Sequence, residues 1–256
     1  MSWSGIKKNL GRTGTKFSQK IGTIEKTIDK EFEEEQRRFK SFESKTEKLH
    51  KETKGYLESL RAMNSAQVRI SDTIEHFYEE SSENAMIGKK YKEAFDILER
   101  DCKSCLVSFW IETVSEPIAR LCSYFPHVND NIKKREKKLL DSDAHRAKVQ
   151  KLVYKSSSED QTKLARAEEA ANTARELYES LNNQLVNELP RFIDLRVPYI
   201  DPTFEALVKI QLKFCRENHD KLSSLQNYFP PNDSPVDSKV EEVLQKMRDL
   251  AICGMG

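Results

Sequence analysis

From Glu35 onward, apolar positions recur at alternating steps of four and three. Phe39, Phe42, Leu49, Tyr56, Leu60, Met63, Ile70, Ile74 and Phe77 occupy this row, with Glu35, Thr46, Thr53 and Gln67 as its polar members. A period of 3.5 held for roughly six heptads predicts a long helix packed in coiled-coil fashion. Over Ile24–Tyr78 it would reach roughly 80 Å at 1.5 Å per residue. Ser81, Ser82, Asn84 and Gly88 mark its expected end.

A second helix is expected from about Lys89, with Tyr91, Phe95, Leu98, Cys102, Cys105 and Phe109 on its row. Pro117 should kink it, because proline removes a backbone donor and clashes with the preceding turn. The row resumes through Leu121, Phe125, Val128, Ile132, Leu139, Val149 and Leu152, and Ser156–Ser158 form a short loop. A third helix is expected from about Gln161, through Leu164, Ala167, Ala171, Ala174, Tyr178, Leu181, Leu185, Phe192 and Leu195. Pro190, Pro198 and Pro202 should disturb it before Phe204, Leu207, Ile210, Phe214 and Leu225 continue it. Pro230, Pro231 and Pro235 stop it, and Val240, Val243, Leu244, Met247 and Leu250 predict a short last helix.

Short connections make neighbouring helices antiparallel. The second half of the first helix, the start of the second and the end of the third therefore belong together. These are also the stretches that are apolar nearly all round: Tyr56, Leu57, Leu60 and Met63; Leu106 to Ile111 with Val114; and Phe204 to Phe214. A helix apolar all round is buried all round, and one three-helix bundle cannot cover it. A second chain is expected on Tyr56, Leu60, Met63, Phe109, Trp110, Val114, Phe204, Leu207, Ile210 and Phe214. The opposite end, narrow in its apolar row and strongly charged, should project as an arm.

Composition narrows the class. Eight glycines and eight prolines, none of the prolines before Pro117, are too few for the turns of a many-stranded sheet. A 33% charged and 37% hydrophobic chain is that of long helices with much solvated surface. No apolar run reaches the about 18 residues of a membrane span. Five cysteines without a secretory leader point to a reducing, cytosolic compartment. Cys102, Cys105, Cys122 and His127 have roughly zinc-ligand spacing, yet Cys102 and Cys105 fall inside a helical row, so packed thiols are expected rather than a metal. His50, His76, His145 and His219 stand isolated among polar neighbours. No phosphate loop, dinucleotide fingerprint, zinc-protease or nucleophile-elbow motif is present, so no enzymatic activity and no cofactor are expected. The Cys-Gly-Met-Gly end is a poor prenylation signal.

Charge is informative through its placement, since 43 basic and 42 acidic residues nearly cancel. Lys7, Lys8, Arg12, Lys16 and Lys20 precede the first acid, Glu25, while Trp3, Ile6, Leu10, Phe17 and Ile21 share one helical face. This is the pattern of an interfacial membrane helix. A mitochondrial presequence has similar character, but the row runs on through Ile24 and Ile28, which favours a retained segment. Gly5, Gly11, Gly14 and Gly22 each weaken a helix by about 1 kcal/mol, so disorder in water and folding on lipid are expected. A second cluster holds Lys133, Lys134, Arg135, Lys137, Lys138, Arg146, Lys148, Lys151 and Lys155 against Glu136, Asp141 and Asp143. Nucleic acid could use such charge, but no recognition motif or aromatic platform accompanies it. Anionic lipid is the expected partner, at about 1 kcal/mol per basic residue.

These residues resemble the N-BAR domains of the amphiphysin and bridging-integrator group, and most closely its short fungal members without an SH3 domain. The similarity lies in Met1-Ser2-Trp3 with Gly5 and Lys7-Lys8, in Lys133-Lys134-Arg135-Glu136-Lys137-Lys138-Leu139, and in Leu181-Asn182-Asn183-Gln184-Leu185. It continues in Arg196-Val197-Pro198-Tyr199 and Asp201-Pro202-Thr203-Phe204-Glu205. The resemblance covers nearly the whole chain. It implies an all-α fold of three long kinked antiparallel helices, paired as a crescent dimer whose concave face binds curved anionic membrane. The first helix would insert as a wedge.

Carried over, Lys133, Lys134, Arg135, Lys137 and Lys138 match the basic arm motif, and Lys151, Lys155 and Lys163 flank the expected tip loop. The resemblance also implies work in endocytosis and cortical actin organisation, in the cytoplasm and at the peripheral membrane of the cell cortex. Actin-associated endocytic factors are the implied associates. The chain ends at Gly256 without an SH3 domain, so capture of proline-rich partners is not expected of it alone. The dimer partner would be a second copy or a longer SH3-bearing relative. The expected organisation is a membrane-inserting segment at 1–23, a three-helix coiled coil at 24–229, and a linker with a short helix at 230–256. A cytoskeletal coiled-coil scaffold that never touches lipid is the alternative, and it leaves the acid-free N-terminus unexplained.

Overall fold

A computed structural model describes residues 3–78, 85–102, 106–154, 161–229, 236–250 and 252, without the side chains of 3–7 and 236–237. Among these residues every regular element is helical. In chain order they are α1 (Trp3–Lys20), α2 (Lys30–Phe77), α3 (Ala85–Asp101), α4 (Val107–Trp110), α5 (Glu116–Cys122), α6 (Phe125–Tyr154), α7 (Gln161–Asp194), α8 (Arg196–Leu225) and α9 (Val236–Arg248). The expected serine loop at Ser156–Ser158, Cys105, Cys253, Lys155 and the stops at Pro230, Pro231 and Pro235 lie outside the described residues, as do Ser81, Ser82 and Asn84.

α2 runs for 48 residues, about 72 Å at 1.5 Å per residue, and starts later than its periodicity predicts. Asp29 sets the start. Its Oδ1 accepts from the Phe32 amide at 3.0 Å, a side-chain N-cap. Glu31 and Glu33 in the first turn complement the helix dipole. The buried row also moves. It passes through Phe32, Phe39, Phe42, Thr46 and Thr53, then through Leu57, Leu60, Asn64 and Ser71. A straight helix drifts about 20° per heptad against a 3.5 repeat, so one face cannot follow Tyr56, Met63, Ile70 and Phe77 as well. Those four remain exposed.

The kink expected at Pro117 is a wide turn of π type over Ile111–Ser115, after which α5 begins with Pro117 in its first turn. Just ahead of it the ladder widens, with the Glu116 amide bonded to the Ile111 carbonyl. A second break at Ser123–Tyr124 precedes Pro126, which lies in the first turn of α6, where a missing N–H has no intrahelical acceptor to lose. Leu195 separates α7 from α8, and Pro190 and Pro202 lie within those helices.

Two compact units divide the chain. The first comprises residues 1–58 and 108–210. In it α6 runs antiparallel to both α2 and α7: Asp29 and Lys40 meet Arg135 and Asn129, while Asn182 and Phe192 meet Arg135 and Phe125. Phe32, Phe39, Phe42, Phe125, Ile132 and Leu189 form its core, with Phe39 and Phe42 edge-on to Phe125. The second unit comprises 59–107 and 211–256, and the stretches expected to gather are divided between the two: Tyr56, Phe109, Trp110, Val114, Phe204, Leu207 and Ile210 fall in the first unit, Leu60, Met63 and Phe214 in the second. Within it Lys92 pairs with Asp72, and Gly88 lies so close to α2 that a Cβ would approach Tyr78 Cδ2 at 3.2 Å. Burial pushes the Cys102 thiol up from its usual range, as expected of a packed thiol.

Candidate functional site

α1 is helical although Gly5, Gly11 and Gly14 lie within it. Contacts with α6 account for the difference from the expected disorder. Arg12 donates through Nε to Asp141 Oδ1 at 2.8 Å and through Nη2 to Asp141 Oδ2 at 2.7 Å. This two-pronged pair is the strong form of a charge-assisted bond, and it holds the Arg12 guanidinium above its ordinary range. Thr15 is buried, and Gln19 Nε2 donates to Asp143 Oδ2 at 2.8 Å. The fourth glycine ends the helix. Gly22 has φ of 75°, its amide donates to the Gln19 carbonyl at 3.2 Å, and the Thr23 amide donates to the Ser18 carbonyl at 2.9 Å. These are the bonds of a Schellman stop, which favours glycine. The apolar row therefore does not continue as one helix through Ile24 and Ile28.

Asp143 anchors the segment that follows. It is fully buried and accepts from the Thr27 amide at 3.3 Å and the Thr27 hydroxyl at 2.6 Å. Arg146 ion-pairs with it at 3.0 Å and donates to the Thr27 hydroxyl and the Glu25 carbonyl, each at 2.7 Å. Arg146 thus serves the fold rather than the arm's surface charge.

The apolar row of α1 stays uncovered: Leu10 is 76% exposed, Phe17 65% and Ile21 57%. Lys16 and Lys20 are exposed at its margins and, with Lys26, line an open groove of about 470 Å³ against α6, whereas Lys8 falls on the α6-facing side with Lys138 and Asp141. Trp3, Ile6 and Lys7 fall in the helix, but their side chains lie outside the described residues.

On the arm, Lys133, Lys134 and Lys137 are exposed, Lys138 is half-buried, and Lys151 and Lys163 are exposed. Lys133 has an acidic neighbour, Asp130, at 3.6 Å across a solvated pair. Arg135 is the correction to this group. It is 5% exposed, donating through Nε to Asn182 Oδ1 at 2.8 Å and through Nη2 to the Tyr178 hydroxyl at 2.9 Å. Asp29 Oδ2 lies 3.5 Å away and also accepts from Asn182 Nδ2 at 2.6 Å. A guanidinium so engaged presents no charge to a ligand.

The residues expected to meet a second chain divide in a similar way. Leu60, Trp110, Val114 and Ile210 are buried within this chain, so they are core and not interface. Trp110 is closed over by Tyr56, whose ring stacks on it at 4.8 Å and 17°. Tyr56, Met63, Phe109 and Phe204 stay exposed, and Leu207 and Phe214 half-buried. Ile70 and Phe77 on α2, and Val208 and Leu212 on α8, are further exposed apolar residues that the expected set omitted. Their spacing from Met63 and Phe204 was the available signal.

Among the described residues no cluster of histidine, cysteine and carboxylate could hold a metal ion, and no helix is long and apolar enough to cross a membrane. What the arrangement offers is surface: a docked amphipathic basic helix, a lysine-rich α6, and long helices with uncovered apolar rows. These features, among the described residues, define an all-helical, coiled-coil-type protein. The chain belongs to the BAR-domain family, whose profile, described as BAR domain, matches residues 6–229.

Two relatives align along its whole length. Protein hob3 of Schizosaccharomyces pombe is 51% identical, covering 100% of this chain and 98% of its own. The regulator of cytoskeleton and endocytosis RVS161 of Candida albicans is 38% identical, covering 100% of both. Among solved structures, the amphiphysin BAR domain from Drosophila matches the fold with a TM-score of 0.65 at 23% identity, over 86% of this chain and 97% of that one.

Proposed function

We propose that this protein binds anionic membrane as a peripheral, dimeric, non-enzymatic module that senses or generates curvature in endocytosis and cortical actin organisation. The carrying observation is the uncovered apolar row of α1, Leu10, Phe17 and Ile21, flanked by Lys16 and Lys20 in the same compact unit as Lys133, Lys134 and Lys137. A bilayer interface takes up such a row and pairs such charges with phosphate. The name of the Candida relative, a regulator of cytoskeleton and endocytosis, supports the cellular setting. The dimer partner is a second copy or a longer SH3-bearing relative, and actin-associated endocytic factors work beside it at the cortex.

Cosedimentation of the full chain with anionic and neutral liposomes tests this reading. Anionic vesicles should retain the protein in a salt-sensitive manner. Lys133→Glu/Lys134→Glu should weaken retention by about 2–3 kcal/mol, at about 1 kcal/mol per basic residue lost and somewhat more on reversal. Retention that is unchanged by this pair and by removal of residues 1–22 would overturn it.

A further inference from the structure

The family profile ends at residue 229, so α9 lies beyond the part of the chain that the family describes. Along it Val240, Val243, Met247 and Leu250 recur at steps of three, four and three, the spacing of a coiled-coil seam. All four are exposed, as is Leu244 beside them. The charges of α9 pair on its own surface: Lys246 lies 2.7 Å from Glu242 and Arg248 2.8 Å from Glu241. In its sequence Lys239, Lys246 and Arg248 balance Asp237, Glu241 and Glu242. A helix of zero net charge gains nothing electrostatic from an anionic bilayer, so its apolar row suits another helix.

We propose that α9 is a clasp: the α9 helices of two copies of this chain pair in parallel along Val240, Val243 and Met247. The edges of the row carry the choice of occupant. At 3.6 residues per turn, Lys239 and Lys246 lie along one edge and Leu244 along the other. Antiparallel copies would bring like edges together and set Lys239 against Lys246. Parallel copies bring unlike edges together, so the Lys239 stem covers the partner's Leu244 and no two lysines meet. The seam spans about two heptads, short of the three or four that hold a coiled coil alone. A helix of 13 residues is also marginal in isolation. The clasp therefore closes between copies already held together, where tethering gives a local concentration of about millimolar. It rests in that respect on the dimer of the proposed function. A second copy brings a matching row with matching edges, so closure favours self-pairing over a chain whose edges differ.

Sedimentation equilibrium of the full chain, with photo-crosslinking, tests the clasp. Val243→Glu/Met247→Glu places carboxylates in the seam and should weaken the dimer about tenfold or more. Gln245→Lys, on the opposite side of α9, should leave the dimer unchanged. These positions are exposed in the single chain, so both variants should fold as the wild type does. Benzoylphenylalanine placed at Leu244 should join two chains, with the adduct mapped by mass spectrometry to α9 of each. An unchanged dimer constant in Val243→Glu/Met247→Glu, an adduct on α2 or α8, or no adduct would overturn the clasp. A dimer that lacks the α9 adduct removes the clasp and leaves the dimer reading. A chain that stays monomeric at every concentration removes both.

Discussion

The guanidinium carbon of Arg135 sits 3.9 Å from the centre of the Phe32 ring. α6 thereby places a cation on the first turn of α2, and Asn182 and Tyr178 of α7 complete the enclosure. One residue joins α2, α6 and α7. Arg135→Gln should lower stability by about 2–4 kcal/mol, because it removes one partner of a mostly buried ion pair and a cation–π contact together. Arg135→Lys should recover little of this, since a point charge cannot serve Asn182 and Tyr178 as a planar fork does. Urea titration by circular dichroism measures both. An equal loss of stability in Lys133→Gln would contradict the distinction between the two positions.

Asp29 gives the same junction a pH signature. Burial alone would raise its carboxyl, but bonds from the Phe32 amide and Asn182 and the charge of Arg135 outweigh it and hold it below the usual range. A depressed folded-state pKa stabilises above the unfolded value, near 3.8, and is lost as pH falls through the folded value. Stability from this group should be flat from neutrality to about pH 4–5 and decline in stronger acid. Asp29→Asn retains a capping oxygen and should flatten that acid decline. Thermal melts at stepped pH provide the comparison.

Self-association should depend on the exposed row of α2. Ile70→Glu alters a residue that is 52% exposed in this chain, so it should change folding stability by no more than about 0.5 kcal/mol. In a two-fold dimer it acts twice, and association should weaken about 100-fold. Trp110→Ala should do the reverse, costing about 3–5 kcal/mol of folding stability through a core cavity. Sedimentation velocity over a concentration series, alongside urea titration, separates the two effects.

Gly11 and Gly14 lie where a Cβ meets no atom within 4 Å. Gly11→Ala and Gly14→Ala should therefore each stabilise α1 by about 1 kcal/mol without disturbing its docking. Gly22→Ala should act oppositely, since φ of 75° strains a residue with a side chain. Exchange rates of the α1 amides give both signs.

Much of this arrangement is readable in the order of residues. The rows of Phe39 and Phe42, Phe125 and Ile132, and Leu185 and Phe192 predict the three packed helices, and Pro117 predicts a break. The polar junctions were harder because their residues hide in plausible surface. Arg135 lies in a lysine run, yet it fills the vacant place in the row Phe125, Val128, Ile132, Leu139. Asp143 does the same between Leu139 and Ala147, whereas Asn182 filled no gap, because Leu181 already occupies the row between Tyr178 and Leu185. A polar residue on a row position, rather than its neighbours' charge, was the available sign of burial. Docking of α1 had no such sign, because Arg12–Asp141 joins residues 129 positions apart and nothing local pairs them. The step in α2 after Thr53 was also unreadable, for it arises from the helix's own pitch.

Electron microscopy of anionic liposomes mixed with the pure full-length protein, alone and with an SH3-bearing BAR relative, tests membrane remodelling most directly. The account predicts narrow tubules of uniform width drawn from the vesicles, absent with neutral lipid and reduced by Lys133→Glu/Lys134→Glu. Spherical anionic vesicles left unchanged at saturating protein, with the protein remaining in solution in both mixtures, would contradict it.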